Sequence, residues 1–299
     1  MSGNKQDSKG KRGLWCALAI AAMVLAIVVL YALWASRYML RVTRYELASG
    51  KLTESVRMVQ LSDLHNAVFG EDNALLIAQV KAQSPDLIVM TGDMINGKEQ
   101  KTGTTEALIR ALKEIAPVYA SLGNHEQGHR ALYRIDVKKL YGEAGAIVLD
   151  KTYHDVTVKG QKIRLGGLLG YALPERFAQF GEAVKSEYVY LQKMQKTERL
   201  TVFLCHYPTC FIKDGILDDW NIDVVFSGHE HGGQIRLPWL GGVYAPDRGF
   251  FPGGTSGVTY STDGKKALVL SRGLGSTGRV PRLNNVPEIV VVDIIAQEQ

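Results

Sequence analysis

Short apolar runs recur along the chain between residues 58 and 295. Each is four to eight residues long and rich in Val, Ile and Leu, which is the pattern of strands that are buried on both faces. Eight runs are present: Met58–Leu61, Leu87–Met90, Val118–Leu122, Ile163–Leu169, Thr201–Leu204, Ile222–Phe226, Ala267–Leu270 and Ile289–Ile295. The pattern therefore predicts a domain built around β-sheets.

Apolar residues at helical spacing lie between several of these runs. They occupy residues 72–80, with Asp72 or Asn73 as a candidate N-cap, residues 108–115 and residues 177–191, and their spacing is typical of helices packed on a core. After residue 220 this spacing fades, and residues 228–264 are rich in Gly and Pro, which predicts loops and hairpins. Strands that alternate first with helices and then with long loops indicate a mixed-sheet α/β layered domain.

The segment Leu14–Trp34 is long enough to cross a membrane. It has 21 residues and no charge, and at about 1.5 Å per residue such a helix spans a ~30 Å hydrocarbon core. A cleaved signal peptide is the alternative, but its apolar region usually runs about 7–15 residues and ends at a small-x-small site. Here Leu33 and Trp34 crowd the small residues nearby, so the sequence favours an uncleaved anchor.

The anchor divides the chain into four parts. Residues 1–13 form a basic N-terminal tail, residues 14–34 the transmembrane anchor, residues 35–55 a polar connector, and residues 56–299 the globular domain. Because no core strand needs the connector, residues 45–299 are expected to fold alone. Lys and Arg flank both ends of the anchor, so the positive-inside rule leaves its orientation open.

Composition and charge exclude several classes of protein. With 46% hydrophobic and 22% charged residues in 299, the chain is not disordered, collagen-like or a multi-span membrane protein. Three cysteines are too few for a disulfide scaffold. A zinc ribbon needs two close pairs of cysteines, and the sequence has one, Cys205 and Cys210. Residues 1–57 carry a net charge of +6 and the remainder −1, so charge implies no nucleic-acid partner.

Residue types that bind metals follow five of the apolar runs. The runs lead into Asp63 and His65, into Asp93, into Asn124, into His206, and into His229 and His231. Open α/β sheets gather their sites at the carboxyl ends of the strands. The five runs are therefore expected to deliver these side chains to one edge.

The chemistry of this set points to a pair of divalent ions. Two carboxylates, one amide and four imidazoles, with no thiolate, suit Mn²⁺, Fe, Zn²⁺ or Ni²⁺. Seven ligands are too many for one tetrahedral ion, and they fit two ions that share a carboxylate. Asp63 and His65 point the same way only if the backbone there stays extended, and the same holds for His229 and His231.

The motifs DLH, GD, GNHE, CH and GHEHGG, in this order over residues 57–295, resemble the calcineurin-like metallophosphoesterase superfamily. The membrane-anchored start, GHEHGGQIRLP and SRGLGSTG…PEIVVVDI are similar to a bacterial branch that includes UDP-2,3-diacylglucosamine hydrolase-like members. The resemblance implies a four-layer α/β/β/α sandwich with a two-metal site. One metal would be held by Asp63, His65 and His231, the other by Asn124, His206 and His229, and Asp93 would bridge them.

The same resemblance implies a function. We expect a membrane-anchored phosphoesterase that hydrolyses a small-molecule or lipid phosphoester, a phosphodiester foremost, by attack of a metal-bridging hydroxide. Related members carry export signals, which places the domain on the extracytoplasmic side of the cell membrane. A pyrophosphohydrolase of a nucleotide-linked lipid precursor is the alternative enzyme. A non-catalytic scaffold is the alternative of another class, although a scaffold has no need of all seven ligands.

Two residues next to the ligands have competing interpretations. His125 matches the motif histidine that acts near the leaving group, and it is expected to donate a proton there; as an alternative it only orients water. Glu126 either orients His125 or caps the start of a helix, and the cap is the preferred interpretation.

Overall fold

Two six-stranded mixed sheets form the centre of the protein. The computed structural model describes residues 3–169, 182–213, 215–276 and 280–297. The first sheet has the order β1-β16-β2-β3-β4-β5. Its strands are β1 (Arg41–Ser49), β2 (Val56–Leu61), β3 (Leu87–Thr91), β4 (Val118–Ser121), β5 (Ile147–Val148) and β16 (Glu288–Ala296).

The second sheet has the order β14-β15-β9-β8-β7-β6. Its strands are β6 (Thr152–Val158), β7 (Gln161–Leu168), β8 (Leu200–Cys205), β9 (Val224–Ser227), β14 (Gly257–Tyr260) and β15 (Ala267–Leu270). Two small hairpins lie between β9 and β14. They pair β10 (Arg236–Leu237) with β11 (Gly241–Gly242), and β12 (Tyr244–Ala245) with β13 (Gly249–Phe250).

The eight predicted apolar runs are the eight interior strands of the two sheets. The sequence pattern did not predict the four edge strands, β1, β5, β6 and β14. In β6 the first four residues are exposed, because an edge strand packs on one side only and so lacks a continuous apolar run. The prediction of strands is thus confirmed for the positions that are buried on both faces.

Helices cover the outer faces of both sheets, and a further helix, α1 (Gly3–Tyr38), precedes them in the chain. In the described residues the others are α2 (Ala74–Ala82), α3 (Gly103–Leu112), α4 (Asn124–Tyr133), α5 (Val137–Ala144), α6 (Glu182–Met194), α7 (Thr209–Lys213) and α8 (Ile216–Asp219). The predicted helices at 72–80 and 108–115 correspond to α2 and α3. The predicted stretch 177–191 lies partly outside the described residues, and its second half falls in α6.

Three apolar cores separate four layers. Side chains alternate along each interior strand, so that in β2 Met58 faces the other sheet while Val59 faces the helices. The first core lies between α2, α3, α5 and the first sheet, the second between the two sheets, and the third between the second sheet and α6–α8. The α/β/β/α sandwich predicted from the resemblance is confirmed.

Residues 35–55, expected to be a connector, contain a strand instead. β1 pairs in parallel with β16 over nine residues, from Arg41 opposite Glu288 to Ser49 opposite Ala296. From Arg44 to Ser49 its side chains alternate between solvent and core, with Leu47 buried. Because every second residue is exposed, the segment lacks a continuous apolar run and resembles a polar linker in the sequence. A fragment that starts at residue 45 would cut β1 in two, and this pairing argues against the expectation that residues 45–299 fold alone.

Helix α1 ends against the globular domain. Residues 13–38 of α1 are long and apolar enough to cross a membrane, by length and composition, and their side chains are exposed up to Tyr31. Ala35 and Ser36 are buried, and the Ser36 hydroxyl accepts a hydrogen bond of 2.9 Å from the Asn285 backbone N–H. The helix therefore meets the domain at a defined point, next to the loop that precedes β16.

Candidate metal centre

The carboxyl ends of β2, β3, β4, β8 and β9 meet at one edge of the sandwich. Strands β2, β3 and β4 are parallel neighbours in the first sheet, and β8 and β9 are parallel neighbours in the second. The loops that follow them bring together all the predicted ligands. These are Asp63, His65, Asp93, Asn124, His206, His229 and His231.

One group of donors consists of Asp63, His65 and His231. Their ligand atoms all lie within 4.8 Å of one another. The Nε2 atoms of His65 and His231 are 3.3 Å apart, and Asp63 Oδ1 is 3.7 Å from His231 Nε2 and 4.0 Å from His65 Nε2. The three side chains therefore converge on one point.

A second group consists of Asp93, His206 and His229, again within 4.8 Å of one another. His206 Nε2 lies 3.2 Å from Asp93 Oδ2 and 3.2 Å from Asn124 Oδ1, and it lies 3.3 Å from His229 Nδ1. Asp93 Oδ2 is also 3.8 Å from His65 Nε2 in the first group. Asp93 thus lies between the two groups, where a shared ligand would have to be.

The backbone at these residues is left-handed, whereas the sequence argument required an extended backbone for Asp63 and His65, or His229 and His231, to point the same way. Asp63, His65, Asp93, His229 and His231 all have φ between 48° and 72°. Non-glycine residues adopt this conformation at a cost of about 1–2 kcal/mol each, and such strain concentrates at functional sites. The pairs Asp63/His65 and His229/His231 therefore face the centre through tight turns.

Glycine allows one of these turns. A Cβ atom added to Gly228 would collide with Ser62 and with the carboxylate of Asp63. The chain after β9 consequently passes close enough for the His229 backbone N–H to donate to Asp63 Oδ1 at 3.1 Å. The glycine in the GHEHGG motif is thus required by this close approach.

Burial and charge set the protonation of the donors. Burial and the neighbouring imidazole of His231 lower the pKa of His65 to about 3, and burial lowers that of His231 to about 4, despite the carboxylates nearby. Burial also lowers the pKa of His206, but the carboxylate of Asp93 outweighs burial and raises it to about 10. In return, His206 lowers the pKa of Asp93 against the effect of burial. His65 and His231 are therefore neutral, as metal ligands must be.

These residues fit divalent metal ions. Two neutral imidazoles turn their Nε2 atoms toward each other beside the carboxylates of Asp63 and Asp93, which are buried. Such a set is rich in acceptors, and buried acceptors need a cation or donors to balance them. Nitrogen and oxygen donors of this kind match Mn²⁺, Fe, Zn²⁺ or Ni²⁺.

In two of the histidines, the ring nitrogen that faces away from the centre contacts an oxygen atom, which orients the ring. His206 Nδ1 lies 2.7 Å from the Thr91 carbonyl, to which it donates its proton, leaving Nε2 for the centre. His229 Nε2 lies 3.2 Å from Asp247 Oδ2, leaving Nδ1 for the centre. Such partners fix the tautomer and the orientation of metal-binding histidines. Sequence reasoning missed Asp247, since it lies in a Gly- and Pro-rich loop 18 residues after His229.

His125 is held at the edge of the centre with a defined tautomer. Its backbone N–H donates to Asp93 Oδ1 at 2.7 Å, and its Nδ1 accepts a hydrogen bond of 2.9 Å from the Gly97 backbone N–H. Because Nδ1 is the acceptor, a neutral ring carries its proton on Nε2. The ring packs edge-on against His65, with centroids 4.4 Å apart.

Glu126 holds the Asp93 loop. The expected cap is confirmed, because Glu126 Oε2 accepts from the Gly123 backbone N–H at 2.7 Å. The carboxylate also accepts from the backbone N–H groups of Asp93 and Met94, both at 2.8 Å, and from the Tyr141 hydroxyl at 2.9 Å. These partners fix the strained turn at Asp93, a role that the sequence did not indicate because they come from distant parts of the chain.

Arg282 fixes the loop behind Asp63. Its buried guanidinium donates to the carbonyl groups of Arg272 and Gly275, and the Gly275 backbone N–H in turn donates to the Asp63 carbonyl at 2.6 Å. Arg272 itself lies 3.6 Å from Glu288.

Two cavities formed by the described residues open onto the centre. The first, of 330 Å³, has Asp93, Asn124, His125, His229 and His231 on one side and Gln234, Tyr244, Pro246 and Val280 on the other. The second, of 560 Å³, runs from His65 to the end of α1, where Leu33, Ser36 and Arg37 line it. The centre can therefore be reached both from the side of the Gly-rich loops and from the side of α1.

A comparison with protein-family models agrees with this geometry. Residues 56–233, more than half of the chain, match the calcineurin-like phosphoesterase model. The chain belongs to the calcineurin-like phosphoesterase family. The predicted enzyme class, a metal-dependent phosphoesterase, is thereby confirmed.

Bacterial relatives of this calcineurin-like phosphoesterase extend over most of its length. The uncharacterized metallophosphoesterase YkuE of Bacillus subtilis is 28% identical over 291 residues, 94% of each chain. The phosphodiesterase YaeI of Escherichia coli is 25% identical over 244 residues, which cover 80% of this chain and 82% of that one. The UDP-2,3-diacylglucosamine pyrophosphatase LpxG of Chlamydia muridarum is 25% identical over 330 residues, with 92% and 96% covered.

Solved structures show the same fold. The 5'-nucleotidase precursor of Thermus thermophilus superposes with a TM-score of 0.50 at 14% sequence identity. The match covers 81% of this chain, which spans about half (54%) of that nucleotidase. At this identity the likeness concerns the arrangement of sheets and helices alone.

Proposed function

We propose that this protein is a membrane-anchored phosphoesterase that uses two divalent metal ions to hydrolyse a phosphoester, a phosphodiester foremost. The observation that carries the proposal is the convergence of seven nitrogen and oxygen donors in two groups that meet at Asp93. Asp63, His65 and His231 would hold one ion, and Asn124, His206 and His229 the other. When bound, the ions supply Lewis acidity toward phosphoryl oxygens and a nucleophile at neutral pH.

The residues around the ions would hold the ligands in place and supply a proton. Glu126 keeps Asp93 turned toward both groups. His125, with Nδ1 held by Gly97, presents the Nε2 proton and would donate it toward the leaving oxygen, where negative charge develops. Tyr244 and Val280 form an apolar wall beside the ligands, which favours a substrate with an apolar group next to the phosphate.

Two alternatives to a phosphodiester specificity make different predictions. A pyrophosphohydrolase of a nucleotide-linked lipid precursor is favoured by the similarity to LpxG. A non-catalytic scaffold would not need the neutral histidines or the strained turns that bring the donors together. Metal-loaded full-length protein, assayed in detergent against a phosphodiester, a phosphomonoester and a lipid pyrophosphate, separates the three. Hydrolysis of none of them by metal-replete protein would support the scaffold.

Two metal ions per chain are expected after loading with Mn²⁺. Elemental analysis of the full-length protein after gel filtration measures the ratio, and the same protein treated with a chelator is the control. We expect a ratio near two, because the donors form two groups joined by Asp93. A ratio of one or less at saturating Mn²⁺ would contradict the proposed site.

The N-terminal helix is expected to remain on the mature protein and to hold the domain at the extracytoplasmic surface. Residues 13–38 are long and apolar enough to span a bilayer, and the Ser36–Asn285 hydrogen bond gives the helix a structural contact with the domain. N-terminal sequencing tests retention, and a start near residue 36 would identify a removed signal peptide. Protease treatment of intact cells tests the side. A domain that survives until the membrane is permeabilised would contradict the outward placement.

A further inference from the structure

Four large apolar side chains project into solvent from the two hairpins that follow the GHEHGG motif. Trp239 is fully exposed, and Leu240, Phe250 and Phe251 are each more than half exposed. These four residues, named here the apolar rim, lie in the turn after β10 and at the end of β13. Soluble surfaces do not normally expose several large aromatic and aliphatic side chains together, and such patches mark interaction sites.

The segment that carries the apolar rim is almost free of charge. Residues 237–254 contain two charged residues, Asp247 and Arg248. Asp247 Oδ2 lies 3.2 Å from His229 Nε2, and Arg248 is bonded to Glu230 at 2.8 Å. Both charges therefore belong to the metal centre side of the hairpins, and the outer side offers a surface without charge.

The hairpin that carries Trp239 and Leu240 begins next to the end of helix α1. The Asn285 backbone N–H donates to Ser36, and the Asn285 side chain donates to the Gln234 carbonyl. Asn284 likewise donates to the Arg236 carbonyl. The strand that leads to Trp239 thus begins where α1 meets the domain, and Trp239 follows Arg236 by three residues.

The apolar rim also adjoins the metal centre. The Phe250 ring packs against Tyr244 with centroids 5.2 Å apart, and Tyr244 lines the same cavity as Asp93 and His125. The larger cavity connects His65 with Leu33 and Arg37 of α1. The rim, the mouth of the site and the helix end therefore share one face of the domain.

We propose that this face lies against the membrane that holds α1, with the apolar rim in the interfacial layer of the bilayer. Aromatic residues favour that layer, and the exposed Arg37 and Arg41 beside the helix end suit the phosphates of lipid headgroups. The metal centre then opens toward the bilayer, and its substrate is a phosphoester carried by a membrane lipid. This substrate class rests on the proposed function, whereas the position of the rim does not.

A fluorescent label in the full-length protein tests the position of the rim. The variants Trp239→Cys and Lys265→Cys, both in a Cys16→Ser background, are labelled with an environment-sensitive dye and placed in nanodiscs that carry lipid-attached quenchers. Lys265 is the matched control, because it is exposed and lines a cavity with Ser49 and Gly50 at the far end of β1, roughly 30 Å from the helix end.

We expect a blue shift and quenching at position 239 and neither at position 265. Equal spectra at both positions would overturn the proposal. A shift that appears only when two chains share a nanodisc would also overturn it, because the rim would then bind a second copy of the protein.

A kinetic comparison tests the substrate class. The double variant Trp239→Ser and Leu240→Ser, which changes no residue lining the site, should lose about tenfold in kcat/KM toward a phosphodiester lipid in nanodiscs, which corresponds to about 1.4 kcal/mol of lost contact with the bilayer. Its activity toward bis(p-nitrophenyl) phosphate should be unchanged. Equal losses on both substrates would overturn the lipid assignment. Failure of the metal-loaded parent protein on both substrates would contradict the proposed function itself, and the labelling result would still decide the position of the rim.

Discussion

Replacement of Asp93 by asparagine is expected to lower kcat/KM by at least about 10³-fold, the upper end of the loss seen when one stabilising group is removed from a hydrolytic site. Asp93 lies between the two donor groups, 3.2 Å from His206 and 3.8 Å from His65. Two divalent cations about 3.5–4 Å apart repel each other strongly, and the amide lacks the negative charge that offsets this repulsion. The bound metal should therefore fall below two ions per chain.

The control for Asp93→Asn is Asp136→Asn, which removes one carboxylate from the surface. Asp136 caps α5 through the Lys139 backbone N–H, and asparagine caps a helix equally well. Circular dichroism should show that both variants are folded. Elemental analysis and initial rates should then separate them, and wild-type metal content together with wild-type turnover in Asp93→Asn would exclude Asp93 as a bridging ligand.

Replacement of His125 by alanine should lower turnover of a substrate with an alkoxide leaving group by about 10²–10⁴-fold. The Gly97 N–H fixes Nδ1 as an acceptor, so that a neutral ring carries its proton on Nε2 and would donate it to the leaving oxygen. An alkoxide needs this proton, whereas p-nitrophenolate leaves without help, so the loss on nitrophenyl esters should be small. Metal content should not change, since the seven proposed ligands do not include His125.

Steady-state kinetics on a pair of diesters that differ in the leaving group measure this difference. His154→Ala is the matched control, because His154 is exposed on β6, away from the metal centre. Equal losses on the two diesters in His125→Ala would mean that His125 orients the reactants and does not donate a proton.

The sequence predicted the strands that are buried on two faces and missed those at the edges. A run such as Leu87–Met90 is apolar throughout because helices cover one face and the second sheet covers the other. In β1 the exposed Arg44, Glu46 and Ala48 alternate with the half-buried or buried Tyr45, Leu47 and Ser49. An alternation of exposed, partly charged residues with half-buried ones resembles a linker in the sequence. It is recognised as a strand only from its pairing with β16.

The residues that converge could be predicted from the sequence, but the way they are held could not. Residue type and position after an apolar run were enough to select Asp63, Asp93 and His206. The left-handed turns depend on contacts between distant segments, such as the His229 N–H to Asp63. Glu126 and Asp247 likewise act through partners that only the folded chain brings near.

The left-handed backbone at five of the proposed ligands lowers the stability of the fold at the same positions whose side chains catalysis requires. At about 1–2 kcal/mol each, the five conformations together are comparable with the whole stability of an ordinary domain, about 5–15 kcal/mol. Glycine would relieve this cost at every one of the five, but it would remove the ligand. Mutations to glycine at these positions should consequently raise thermal stability and abolish turnover. A laboratory selection for thermal stability alone would therefore lead this enzyme toward a stable, inactive variant.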